Sequence, residues 1–144
     1  MNHQIVAEIL DAKAGLDLIA QLNKSFIELL TNHAEPENFP GKVSADQSTL
    51  SVAGFGFTAK AVPRAIRLTT GTFAMEFVFL VESENHEIEV SRFYLTNDGR
   101  LVDDVTNSES NRIEYKNIYI AKFICVRVLQ GILKSKLLTA RSLA

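Results

Sequence analysis

Apolar residues recur at steps of three and four through the opening stretch of the chain, then at alternate positions through its middle. That change of period divides the sequence into helix and strand. From about His3 to Asn32, Ile5, Ile9, Ala12, Leu16, Ile19, Phe26, Ile27 and Leu30 gather on one side of a helix, while Glu8, Asp11, Gln21, Lys24 and Glu28 stay wet. Asn2 supplies the N-cap, and Asn32 followed by Pro36 the stop. At 1.5 Å per residue such a helix is roughly 45 Å long and runs along a sheet. Gly15 marks a close approach or a bend.

Residues 33–48 hold Pro36, Pro40 and Gly41 and read as a loop anchored by Phe39. A strand is predicted from Leu50 to Val62, with Gly54 and Gly56 signalling a bulge or local curvature and Pro63 ending it. Ile66 to Thr69 reads as a short strand, and Gly71 as a reversal. The strongest strand is Phe73 to Glu82, where Phe73, Met75, Phe77, Phe79 and Val81 alternate onto one buried face. Glu84-Asn85-His86 turns the chain into a returning strand, Glu87 to Thr96. Asn97-Asp98-Gly99 is a hairpin signal, leading to Arg100 to Val105. After a polar connector, Asn111 with Glu114 three residues on reads as the capping box of a second helix running to the C-terminus.

The predicted architecture is therefore α+β: a long N-terminal helix, an antiparallel meander of about five strands, and a long C-terminal helix packed on the sheet. One domain over residues 1–144 is expected. In element order alone this resembles the acidic, doughnut-shaped mitochondrial proteins and the small secretion chaperones, a likeness of fold that transfers no residue and fixes no function.

Composition changes little in that picture. Hydrophobic residues at 47% and charged residues at 22% are ordinary for a globular protein, and 144 residues suit one core. A single cysteine, Cys125, excludes an intramolecular disulfide. The N-terminus lacks a basic region before its apolar residues, and no apolar run is long enough for a membrane span, so a cytoplasmic location is the expectation.

Candidate chemistry is sparse. His3, His33 and His86 fall in three different elements with no second ligand at metal spacing. Asp98, Asp103 and Asp104 lack the alternating oxygen ligands and distal Glu of a calcium loop. Gly54-Phe-Gly56 is followed by neither a Gly-Lys-Ser/Thr nor a strand–turn–helix, and there is no Gly-x-Ser-x-Gly elbow. Cys125 sits in Phe-Ile-Cys-Val, an apolar setting that raises a thiol pKa. The reading is non-enzymatic, with no cofactor and no metal.

Charge is distributed unevenly. Residues 112–144 carry a net +6 and the rest of the chain −8. On a helical projection Arg112, Lys116, Arg127, Lys134 and Arg141 share a sector roughly 60° wide, with Phe123 inside it and Tyr119 on its border. Ile118, Ile120, Ile124, Val128, Leu129, Ile132 and Leu133 occupy much of the remainder, far more than the stripe a little over 100° wide that one sheet face requires. Such a helix is sandwiched within its own domain or shared with another chain. The first expectation is a protein-interaction module that self-associates through its terminal helices, those seven apolar residues forming the interface, with an acidic body open to a basic partner. The alternatives are nucleic-acid or anionic-surface binding through the basic sector, with Tyr119 and Phe123 stacking, and a small-molecule pocket between sheet and helix at Gly54, Gly56 and the phenylalanines.

Overall fold

The computed structural model describes residues 2–32, 39–46, 48–103 and 112–138. Helix α1 spans His3–Thr31 and is capped as its sequence predicts. The Asn2 side chain accepts from the Gln4 amide at 2.8 Å, and the Asn32 amide donates to the Glu28 carbonyl at 3.3 Å. Ile19, Phe26, Ile27 and Leu30 of α1 are buried. Gly15 marks a close approach: a Cβ there would stand 2.7 Å from a ring carbon of Phe73.

Among the described residues the sheet is antiparallel throughout and has eight strands. They are β1 (Gly41–Ala45), β2 (Leu50–Gly54), β3 (Phe57–Ala61), β4 (Arg64–Arg67), β5 (Phe73–Ser83), β6 (His86–Thr96), β7 (Arg100–Val102) and β8 (Arg112–Glu114). The spatial order is β1-β2-β3-β5-β6-β7-β8, with β4 pairing β5 beside the end of β3. The class is α+β, as expected, with three strands more than the sequence predicts.

Strand β1 lies in the stretch read as a loop, because Val43 is its only buried side chain and five residues give almost no alternation. Leu50 to Val62 is not one curved strand but the β2–β3 hairpin. Phe55 (φ 54°) and Gly56 (φ 82°) both take positive φ, the signature of a two-residue turn whose twist matches the flanking strands. A bulge does occur, in β6: Phe79 pairs Ser91 while Leu80 pairs Glu89, leaving Val90 as the extra residue. Strand β8 is the third addition. Its Ile113 pairs Leu101 of β7, so residues read as the first turn of the C-terminal helix complete the sheet instead. Of the predicted capping box, Glu114 belongs to this strand and Asn111 lies outside the described residues.

Helix α2 accordingly begins later and spans Ile120–Lys134. Asn117 starts it: its side chain accepts from the Tyr119 amide at 2.8 Å, and its carbonyl from the Ile120 amide at 3.1 Å. The curled sheet grips α2 from two separated places. A Cβ at Gly54 of β2 would stand 2.4 Å from a Leu129 methyl, and one at Gly131 of α2 would stand 1.7 Å from the bulged Val90 carbonyl of β6. Glycine at position 131 lets helix and strand close to backbone distance, and at position 54 it makes room for the Leu129 side chain. Phe26 meets Phe77 edge-on at 5.5 Å, and Phe79 meets Phe93 at 5.8 Å, joining α1 and both long strands in one core. Among the described residues no helix is long and apolar enough to cross a membrane.

Candidate interaction surface

The apolar stripe of α1 outlasts the body it packs on. Ile5, Ile9, Ala12, Leu16, Ile19, Phe26 and Leu30 follow alternating steps of four and three, a seven-residue repeat whose one polar position is the half-buried Asn23. Its second half is core, with Ile19 at 1% and Leu30 at 2% exposure. In its first half Ile5 is 52% exposed, Ile9 63% and Leu16 39%, and Ala12 is half-buried. Gly15 meets Phe73 of β5, and the helix continues from there to His3 at its N-terminal end. Beside the stripe, Lys13 and Asp17 form an exposed pair at 2.7 Å. The Asp17 carboxylate, by hydrogen bond and then by charge, holds the Lys13 ammonium above its ordinary pKa.

Helix α2 packs on the sheet as expected, and much of its apolar breadth is taken up within its own domain. Ile120, Ile124, Val128, Leu129 and Ile132 are buried in the chain's own core, together with Ala121 and Cys125. Their directions span roughly 180° of the cylinder at 100° per residue. Breadth here reflects a sheet that wraps the helix. Of the seven residues expected at an interface, Ile118 and Leu133 are exposed. Leu133 lies on a narrow ridge with Tyr119 and Val126, seven residues apart, and Val126 was not singled out by the sequence.

The basic sector is divided between elements. Arg112 lies in β8 rather than on the helix, and Lys116 lies in the following turn. Arg127 pairs with Asp103 of the chain's own sheet end at 3.6 Å and stands 5.6 Å over the Phe123 ring. Phe123 is half-buried, 5.8 Å from Phe93. Tyr119 and Lys134 are exposed, and Arg141 lies outside the described residues. Among the described residues of this set, Arg112 and Lys116 thus lie outside α2, and Arg127 and Phe123 are engaged within the chain.

Two further features bear on ligand binding. The space foreseen between Gly54 and the helix is filled by Leu129, and Phe77, Phe79 and Phe93 are core. A hollow of about 760 Å³ lies instead on the outer face of the sheet, floored by Val78 and Leu80 and bordered by Lys60, Arg64 and Arg92. At one end sits Glu76, the one buried charged residue among those described. Its carboxylate meets Arg64 at 3.0 Å and Arg92 at 3.5 Å, and Arg92 also bonds Glu89. That network joins β4, β5 and β6 by their own charges. Nothing in the sequence around Glu76 singles it out.

Comparison with known proteins adds no relative: no family model, no curated protein and no solved structure matches this chain.

Proposed function

We propose that this protein is a protein-interaction module that self-associates through the projecting half of α1. The observation that carries this reading is the exposure of Ile5, Ile9 and Leu16 on the same stripe whose continuation is core. An amphipathic helix normally turns its apolar face to its own body. Here half the face has no body beneath it.

Magnitudes set the strength of the contact. Fully burying an Ile or Leu is worth about 1.5–3 kcal/mol, so covering the half-exposed Ile5, Ile9 and Leu16 on two copies yields about 5–9 kcal/mol. Lost rotational and translational freedom costs about 4 kcal/mol upward. The margin is at most about 5 kcal/mol, which makes the dimer reversible, with a dissociation constant no tighter than about 200 µM, and not obligate. Light scattering between ~10 µM and ~1 mM tests this, with average mass rising toward that of two chains. An Ile9→Asp variant, which puts a charge in the stripe without touching the core, keeps its thermal transition and stays monomeric. A wild-type mass of one chain at every concentration removes the reading.

The basic-surface alternative receives less support. Arg127 is engaged by Asp103, and Phe123 is half-buried against Phe93.

A further inference from the structure

We infer that the two copies meet as an antiparallel helix pair, with Ile5 of one chain opposite Leu16 of the other and Ile9 opposite Ala12. This deepens the reading of α1 as the assembly surface and rests on it. Four observations lead there.

The first is the repeat. Steps of four and three place Ile9 and Leu16 in one class of seam position and Ile5 and Ala12 in the other. A seam of that period fits a second helix, whose side chains lodge in the holes between its own. The second is steric. From Gly15 and Ile19 onward the same face of α1 is seated on its own sheet. A parallel partner helix would lie along the full stripe and run into that sheet. An antiparallel partner overlaps only the first half, and its own body then lies past the N-terminus of the first chain.

The third is register. Residue numbers that sum to 21 face each other, giving Ile5–Leu16, Ile9–Ala12 and their two symmetry mates. Large meets large at the ends and large meets small in the middle, without two alanines coinciding. The fourth is extent. Ile5 to Leu16 covers about 17 Å of helix at 1.5 Å per residue, enough for these four layers and no more. That short seam matches a reversible pair, and antiparallel helix dipoles favour it further.

Cross-linking tests the geometry. Ile9→Cys and Ala12→Cys are made separately, one with a mass tag, and oxidised alone and mixed; the native Cys125 is buried. The inference expects the mixture to give the mixed disulfide in several-fold excess over either self-linked product. Efficient self-linking of Ile9→Cys alone, in a protein that light scattering shows to be dimeric, overturns the antiparallel register and leaves the assembly reading standing. A protein monomeric by light scattering, giving no disulfide product in any arm, overturns both.

Discussion

Ile9 and Ile124 are the same side chain on the apolar stripes of two helices, yet Ile9 is 63% exposed and Ile124 1%. Helix α2 lies where the curled sheet closes on it from β1 and β2 on one side and β6 on the other, so about half of its circumference is dry. Helix α1 is longer than the sheet beneath it, and its stripe is dry only as far as the strands reach. Apolar breadth and apolar exposure are therefore separate properties. The first depends on how far the surroundings curve, and the second on where they stop.

The sharpest way to break this comparison is to truncate the same residue in both places. Ile124→Ala removes a fully enclosed side chain, and a loss of about 3–4 kcal/mol of unfolding free energy is expected by denaturant titration. Gly131→Ala tests the grip on α2 from the other direction. Its new Cβ meets the Val90 carbonyl, backbone that yields only by moving helix from strand. A loss of about 2–3 kcal/mol is expected, outweighing the gain of about 1 kcal/mol in helix propensity. At the small end, Ile9→Ala shifts the stability of the monomer by no more than about 0.5 kcal/mol in the same titration. Equal losses at Ile9 and Ile124 would erase the distinction.

Elements with several turns of consistent pattern were readable before the structure. The two caps of α1, the alternation of β5 and the Asn97-Asp98-Gly99 turn all follow local rules: Gly99 takes φ 79°, and its amide bonds the Thr96 carbonyl at 3.0 Å. What escaped were features decided by tertiary neighbours. Residues Arg112 to Glu114 have no strand signal strong enough to oppose a helical projection until β7 offers them an edge. Phe55 in the left-handed region is unusual for an aromatic residue, so the β2–β3 turn hid inside one apparent strand. The stripe of α1 was fully legible as a stripe. Its exposure was not, because a sequence records which face is apolar and not where the sheet beneath it ends. The breadth of α2 was also legible, but a curled sheet and a second chain predict the same pattern.

The most direct test is amide hydrogen exchange along α1 at low and high protein concentration. Residues 19–31 include the buried Ile19, Phe26, Ile27 and Leu30 of the chain's own core, whereas under the proposed pairing residues 3–16 gain protection from the second copy, so the two halves should respond differently. The expected result is protection of residues 3–16 that rises with concentration while that of residues 19–31 stays constant. Protection of residues 3–16 that is the same at both concentrations would contradict the account.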